Sequence, residues 1–347
     1  MSSRHCAASD PPQGWLAGVL GCALPEEGGI VEIAGQCFVM REGILRQQQL
    51  ASAAQAQTAS TFGYKWQRRE SYDSDAMQAA LGAWLRERYG DPNALPWLAG
   101  GSPLPMMLDA GCGSGMSALE LFGTRLQRTR YLGVDISGAI DVAATRFAER
   151  GVPGHFLQCD LMRIPLPEAS VDVVFSEGVL HHTDSTGAAI RLLARLIKPG
   201  GHFLFYVYRR KGPIREFSDD HIRDQLVTMT PEDAWNAVMP LTRLGRTLGE
   251  LDIEIDIAEP IELLQIPAGR INLQRLFYWH VFKAYYRPDL TLDEMNHINF
   301  DWYAPKNAHR QSIEEVRAWC AEAGLVIERE RVEDAGITIA ARKEARA

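Results

Sequence analysis

The sequence LDAGCGSG at residues 108–115 decides the fold predicted for this chain. It joins a short apolar run at 106–108 to a helical pattern at 116–126, so that a strand, a glycine-rich turn and a helix follow one another. In an open parallel sheet, ligands bind beyond the carboxyl ends of the strands, and glycines let the backbone approach them closely. The segment therefore predicts a ligand-binding loop in an α/β fold.

The same alternation of strand and helix continues along the chain. An aspartate ends each of the first three strands, and Asp109, Asp135 and Asp160 are 26 and 25 residues apart, close to the roughly 30 residues of a β-α-β unit. The apolar runs are nearly continuous, which is typical of a parallel sheet covered on both faces. Further strands are predicted at 131–134, 154–159, 171–175, 202–208, 325–330 and 338–341, with helices at 75–89, 139–149, 188–196 and 312–323.

The chain is 347 residues long, which is more than this sheet requires. Short strand-like runs near the start predict a small β unit, and the alternation stops for about a hundred residues after the fifth strand, too long for an ordinary loop. The predicted organisation is a β extension at 1–50, a helical cap at 51–102, an α/β core at 103–210 and 311–347, and a helical lid at 211–310.

The glycine loop differs from two common nucleotide-binding loops. A nicotinamide fingerprint needs GxGxxG, whereas the glycines here run GxGxG, and a P-loop needs Gly-Lys-Ser/Thr, which is absent. Carboxylates beside the loop would repel a pyrophosphate and attract a cationic ligand that carries an amino group. The loop therefore favours a positively charged ligand.

Residues 106–208 resemble the catalytic domain of class I S-adenosylmethionine-dependent methyltransferases. The segments LDAGCGSG, GVDIS, CDLMRIP, VDVVFSEGVLHH and LIKPGG fall in the order and spacing of that family. The resemblance implies a Rossmann-like sheet of seven strands, mostly parallel with an antiparallel last strand, and S-adenosylmethionine as the cofactor.

The resemblance also implies which residues hold the cofactor. Asp109 and the loop would take its methionine part, Asp135 the ribose hydroxyls and Asp160 the adenine amino group. Tyr64, Trp66 and Arg69, which precede the sheet, could close over the methionine end. The alternatives are helix capping for the aspartates and packing on the sheet edge for Tyr64 and Arg69. The full implied set is Asp109, Gly111, Cys112, Gly113, Gly115, Asp135, Ile136, Asp160, Leu161, Ser176, Tyr64 and Arg69.

Three residues after the fourth strand are candidate catalytic groups. His181 and His182 would lie beside the methyl group, and an imidazole near its reference pKa of about 6.5 can take a proton from a hydroxyl or an activated carbon acid. Glu177 is the other candidate base, although it could instead contact the cofactor amine. The alternative for each histidine is packing or a hydrogen bond to backbone.

The methyl acceptor is expected to be a small molecule, methylated on oxygen, carbon or nitrogen. The fourth strand ends in SEGV, without the Asn/Asp-Pro-Pro-Tyr of amino-methylating relatives, and a Pro-Cys nucleophile is missing. A formal charge of −8 gives no general attraction to phosphates, so nucleic acid is not expected as a partner.

Two groups of side chains could contact that acceptor. Arg209 and Arg210, just past the fifth strand, could anchor an anionic group, or form a solvated face. Tyr278, on one predicted helical face with Phe282 and Tyr285, could form an aromatic wall together with Trp302 and Tyr303, or all of these could be ordinary lid core.

The rest of the sequence predicts a cytoplasmic protein without a metal. The six cysteines, at positions 6, 22, 37, 112, 159 and 320, form no CxxC pair, so a metal site is not expected. The sequence contains no run of about 18 apolar residues, so a membrane is not expected as a partner. The segment GQCFVMREGILR at 35–46 resembles the end of a small zinc-ribbon domain without its cysteine pairs, so it would be a metal-free remnant. A homo-oligomer is left open, and the alternative to an enzyme is a non-catalytic cofactor-binding partner or regulatory subunit.

Overall fold

The computed structural model describes residues 14–48, 52–92, 95 and 103–345, which form an α/β fold around a large central sheet. The strands are β1 (Ile30–Ile33), β2 (Gln36–Arg41), β3 (Ile44–Gln47), β4 (Met106–Ala110), β5 (Arg130–Asp135), β6 (His155–Gln158), β7 (Val171–Glu177), β8 (Ile197–Tyr208), β9 (Glu254–Ile257), β10 (Gly269–Asn272), β11 (Leu325–Val332) and β12 (Gly336–Lys343). The helices are α1 (Gly14–Leu20), α2 (Ala53–Gln67), α3 (Asp75–Tyr89), α4 (Met116–Phe122), α5 (Ala139–Glu149), α6 (Thr186–Leu196), α7 (Pro213–Leu226), α8 (Pro231–Glu250), α9 (Leu273–Leu276), α10 (Leu292–Tyr303) and α11 (Ile313–Glu322).

The central sheet has the strand order β1-β2-β3-β6-β5-β4-β7-β8-β12-β11. Strands β4 to β8 are parallel, whereas β12 pairs antiparallel with β8, so the prediction of a mostly parallel sheet with an antiparallel last strand is confirmed. The predicted N-terminal β unit is also present, but it is part of the same sheet. Its strand β3 pairs in parallel with β6, so three strands extend the seven to ten among the described residues.

The core lies on both faces of the sheet, as the apolar strands predict. Every residue of β4 is buried, with Met106 and Leu108 in the hydrophobic cluster on one face and Met107 in the cluster on the other. Successive side chains of a strand point to opposite faces, so a strand covered on both sides must be apolar throughout. The sheet is therefore a rigid platform that ends in the polar residues of the glycine loop.

Several predicted element boundaries hold and others shift. Helix α3 covers the predicted residues 75–89, and α11 begins with a capping box between Ser312 and Glu315. The helix predicted at 116–126 ends at Phe122, because Gly123 adopts φ +51° and the chain continues as a 3₁₀ turn. Residues 1–13, 49–51, 93–94, 96–102 and 346–347 lie outside the described part, so the domain boundaries that fall there remain predictions.

The insertion after β8 is mainly helical, with α7, α8 and α10 packed together and a small β9–β10 hairpin added. Its aromatic run is not one helix. A π-helical turn ends at Val281, and Phe282 is extended with φ −157°, so the predicted helical face of Tyr278, Phe282 and Tyr285 is wrong. In the described part of the chain, no helix combines the length and apolar character needed to cross a bilayer.

Candidate active site

A cavity of about 440 Å³ lies at the carboxyl ends of the parallel strands, within the size range of small-molecule sites. The sheet contributes Asp109, Asp135 and Glu177 at strand ends, and Asp160 just after β6. Helices α2 and α3 and the insertion form the opposite wall. The three aspartates, which lie one β-α-β unit apart in the sequence, therefore converge on one cavity.

The glycine loop forms the floor of this cavity and is bonded to the neighbouring strand. The backbone N–H groups of Gly111 and Cys112 donate to the carbonyl oxygen of Val134, at 2.7 and 3.0 Å, and that of Gly113 donates to Asp135 at 2.9 Å. Gly111 has φ +82°, and a Cβ placed on it would lie 2.2 Å from a methyl carbon of Val179. Only glycine fits this position without moving its neighbours.

Two buried carboxyl groups on the cavity wall have raised pKa values. Burial raises the pKa of Asp109 to about 7, even though the Tyr131 hydroxyl donates to it at 2.6 Å. Burial likewise raises the pKa of Glu177 to about 8, although the hydroxyl of Tyr89 donates a hydrogen bond to it. Such groups ionise most readily beside a positive charge, so this end of the cavity suits a cation.

Asp135 and Asp160 also organise the backbone around them. Asp135 accepts bonds from the backbone N–H and the hydroxyl of Ser137, at 2.8 and 2.6 Å, and Asp160 caps a short 3₁₀ turn by accepting from the N–H of Met162 at 2.9 Å. Burial raises the pKa of both aspartates. They line the cavity beside Ile136 and Leu161, so the hydrogen bonds to backbone leave these residues at the cavity, and their contact with the cofactor stays a prediction.

Four predicted cofactor residues are outside the cavity wall, which corrects their assignment. Gly115 adopts φ +73° at the start of α4, where a Cβ would lie 2.8 Å from the ring of Phe147. The hydroxyl of Ser176 donates to the carbonyl of Ala110 at 2.7 Å inside the sheet. The ring of Tyr64 packs against Trp235 and Phe300 of the lid, and Arg69 forms ion pairs with Glu149 and Asp73 at 2.9 and 2.8 Å.

Helix α2 turns Trp66, the third residue predicted in this segment, toward the cavity, together with Lys65, which the sequence did not single out. Lys65 forms an ion pair with Asp301 of α10, and the hydroxyl of Tyr208 donates to the other oxygen of Asp301 at 2.8 Å. Although burial opposes it, Lys65 and neighbouring cations hold the pKa of Asp301 well below its usual range. The cap, the sheet and the lid thus meet at one carboxylate.

The two candidate histidines differ in their surroundings. His182 lines the cavity, and its Nδ1 lies 2.6 Å from the carbonyl oxygen of Asn307, so Nδ1 carries the proton and donates. Its Nε2 has no hydrogen-bond partner among the described residues, and burial lowers its pKa to about 4. His181 is outside the cavity wall, fully buried against the ring of Tyr208 at 3.6 Å. Of the pair, His182 alone lines the cavity.

Of the predicted acceptor contacts, Tyr278 and Tyr285 line the cavity, whereas Phe282, Trp302, Tyr303 and the two arginines do not. Trp302 and Tyr303 donate to Asp219, at 2.8 and 2.9 Å, and belong to the lid core, which was their alternative interpretation.

Arg209 and Arg210 form surface ion pairs with Asp334 and Glu315, at 3.6 and 3.2 Å, so their assignment to the acceptor is also corrected. The cavity residues that the sequence did not single out include Tyr206, Tyr208 and Lys283.

The acidic residues at 216–221 are held by arginines. Arg310 pairs with Glu216 and Asp220, both at 2.7 Å, and Arg215 pairs with Asp219 at 2.7 Å. Across the described residues, no three or more histidine, cysteine or acidic side chains come together as metal ligands would.

Comparison with known proteins gives one family match and several partial relatives. Residues 108–205 match a family described as a methyltransferase domain. A malonyl-(acyl-carrier protein) O-methyltransferase of Serratia marcescens is 32% identical over 142 residues, which is 41% of this chain and 51% of that protein. A 27-O-demethylrifamycin SV methyltransferase of Amycolatopsis mediterranei is 34% identical over 110 residues, 30% of this chain and 40% of that protein. This chain thus spans about half the length of the curated relatives it matches.

Among solved structures, the fold is similar to that of a Burkholderia thailandensis 1,6-didemethyltoxoflavin-N1-methyltransferase. The two are 15% identical, with a TM-score of 0.44, and the similarity covers 92% of this chain and 99% of that one.

Proposed function

This chain carries a methyltransferase domain of the class I S-adenosylmethionine-dependent family at residues 108–205, and we propose that it transfers a methyl group from that cofactor to oxygen, carbon or nitrogen of a small molecule. The observation that carries the proposal is the single cavity in which the acidic strand ends meet His182 and the aromatic lid. A protein that only binds the cofactor has no need of the aromatic side chains that line the same cavity.

The chemistry of the cavity fits S-adenosylmethionine, the cofactor of this family. Its amino group and sulfonium are cationic and suit Asp109 and Glu177, whose raised pKa values fall when a positive charge approaches. Asp135 would hold the ribose, and Asp160 the adenine amino group. When bound, the cofactor supplies a methyl group already activated by the positive sulfur.

The residues of the chain then have to position the acceptor and remove its proton. Methyl transfer is a displacement in line with the leaving sulfur, so orientation of the acceptor provides much of the rate. Tyr206, Tyr208 and Tyr278 supply flat walls for a small molecule, and His182 supplies Nε2 as the proton acceptor. Helices of the cap and lid cover the cavity and exclude water from it.

The direct test is transfer of a tritiated methyl group. The protein is incubated with labelled cofactor and a cell extract separated into small molecules, protein and nucleic acid. We expect label in the small-molecule fraction, whereas label only in protein or nucleic acid would contradict a small acceptor. Binding of S-adenosylhomocysteine without any labelled product would favour the non-catalytic partner.

Cofactor binding is expected to strengthen as the pH rises from 6 to 8.5. Asp109 and Glu177, with pKa values of about 7 and 8, are largely protonated at pH 6 and must release protons to pair with a cation. Titration of S-adenosylhomocysteine by calorimetry should therefore show at least about a tenfold fall in Kd over this range, with release of protons.

The variant Glu177→Gln keeps an acceptor for Tyr89 and removes one titrating group, so the pH dependence should become shallower. Glu250→Gln is the matched control, because Glu250 lies in an exposed pair with Arg246 far from the cavity wall. A Kd that stays constant between pH 6 and 8.5 in the unmodified protein would refute the assignment of these carboxyl groups to the cation.

A further inference from the structure

Lys283 lines the cavity without an ionic partner. It lies in the extended segment after the π-helical turn, where its backbone N–H donates to the hydroxyl of Tyr303 at 2.7 Å. The residue is only 7% exposed, and its Nζ lies 5.0 Å from the centre of the Trp302 ring. In the described part of the chain, Nζ makes no hydrogen bond or ion pair, although Asp301 and Asp219 are near enough to favour its charged form.

The carboxylates around Lys283 already have other partners. Asp301 pairs with Lys65 and accepts a bond from Tyr208. Asp219 pairs with Arg215 at 2.7 Å and accepts bonds from both Trp302 and Tyr303. Each carboxylate therefore has a cation of its own, and Lys283 is a surplus positive charge.

One further cation faces Lys283 from the start of the lid. Lys211 has its Nζ bonded to the carbonyl oxygens of Asp334 and Ala335, and it disfavours a second charge at Lys283. Burial, helped by Arg215 and Lys65 and opposed by Asp301 and Asp219, lowers the pKa of Lys283 to about 7. A buried amine in this position is stabilised by any anion that enters the cavity.

The cavity that Lys283 lines suits a flat, mainly apolar body. Tyr206, Tyr278, Tyr285 and Trp84 line the same cavity, and all four have aromatic rings. One unpaired ammonium group matches one negative charge, whereas a phosphate dianion is usually held by several donors. The cavity thus combines a ring-lined compartment with a site for a single carboxylate.

We propose that Lys283 binds the carboxylate of an aromatic methyl acceptor and thereby selects acidic over neutral acceptors. This inference rests on the proposed methyltransferase function, because it assigns the acceptor end of the same cavity. It replaces the arginines at 209 and 210, which lie in surface ion pairs, as the anchor for an anionic group.

The test uses matched aromatic acids and amides as probes. With S-adenosylhomocysteine present, binding of 4-hydroxybenzoate and indole-3-acetate is compared by calorimetry with binding of 4-hydroxybenzamide and indole-3-acetamide. We expect at least one acid to bind about tenfold or more tightly than its amide, as a charge-assisted bond implies. Lys283→Met should remove that preference and Lys283→Arg should keep part of it. Lys306→Met, which removes an exposed lysine, should leave the preference unchanged.

The pH dependence provides a second readout. Binding of a carboxylate favours the charged amine, so with a free pKa of about 7 the acids should bind more weakly at pH 8.5 than at pH 6.5, with uptake of protons. This sign is opposite to that expected for S-adenosylhomocysteine, and binding of the amides should not change.

Equal binding of acids and amides, an unchanged preference in Lys283→Met, or no binding of either acid would overturn the proposal. Titration of S-adenosylhomocysteine on the same samples distinguishes a failure of the role given to Lys283 from a failure of the proposed methyltransferase function. If it binds normally, only the role of Lys283 fails, whereas its failure to bind to the unmodified protein would refute the proposed function itself.

Discussion

Replacing Gly111 with alanine is expected to abolish measurable binding of S-adenosylhomocysteine. The new Cβ would lie 2.2 and 2.6 Å from the two methyl carbons of Val179 and 2.9 Å from its Cβ, so a flexible chain end cannot simply swing aside. Overpacking and the left-handed backbone at φ +82° together cost about 2–5 kcal/mol. The loop would have to lose the hydrogen bonds to the carbonyl oxygen of Val134, which hold it against β5. Calorimetric titration measures the loss.

Gly123→Ala is the matched control for this variant. Gly123 also has a positive φ, +51°, but nothing lies within 4 Å of the added Cβ. It should therefore lose stability from backbone strain alone, about 1–2 kcal/mol, and keep its affinity within about threefold. Far-ultraviolet circular dichroism shows whether Gly111→Ala is still folded. A folded Gly111→Ala protein with normal affinity would contradict the role given to the loop.

The convergence of the acidic residues could be predicted because chain order determines it. When strands are parallel and each is followed by a helix, all their carboxyl ends lie along one edge of the sheet. Asp109, Asp135, Asp160 and Glu177 therefore had to meet, whatever the packing of the helices. Ser176 shows the limit of this argument. Neighbouring residues of a strand point to opposite faces, so Ser176 and Glu177 could not both face the cavity.

The orientation of helices could not be predicted in the same way. Each residue turns a helix by 100°, and the segment FGYKWQRR at 62–69 carries aromatic and basic residues all round. Whether Tyr64 or Lys65 meets the cavity depends on how α2 packs against α8 and α10, which local sequence does not contain. The same holds for Trp302 and Tyr303, which are buried because Asp219, distant in sequence, accepts both of their hydrogen bonds.

No pattern in the sequence identified Lys283 as a candidate site residue. It lies inside the aromatic run that looks helical, and its position depends on the helix ending at Val281. The extended backbone at Phe282 is stabilised by tertiary contacts, among them the bond from Lys283 to the Tyr303 hydroxyl and that from Tyr285 to Asn299. Residues that follow the fold of a family can be found in a sequence, whereas acceptor residues in an insertion depend on packing particular to the chain.

Replacing His182 with alanine is expected to reduce methyl transfer by about 10²- to 10⁴-fold where the acceptor has to lose a proton. The imidazole lines the cavity with one nitrogen bonded to the Asn307 carbonyl and the other without a hydrogen-bond partner among the described residues, as a proton acceptor requires. His181→Phe is the matched control. It replaces a buried ring that lies outside the cavity wall and makes no ring hydrogen bond among the described residues, so turnover should change little.

The pH profile of kcat at saturating cofactor separates chemistry at His182 from a structural loss. A free histidine loses most of its base form below pH 6.5, whereas burial holds the pKa of His182 at about 4 and keeps its ring neutral. The rate that depends on His182 should therefore stay level from pH 8 down to about 5 and fall only below that pH. Because Asp109 and Glu177 affect cofactor affinity, their titration appears in KM and leaves this plateau intact at saturation. An acid limb centred near pH 6.5 would contradict the lowered pKa of His182. Full turnover by His182→Ala would remove His182 from the mechanism and leave Glu177, with its pKa of about 8, as the base to test next.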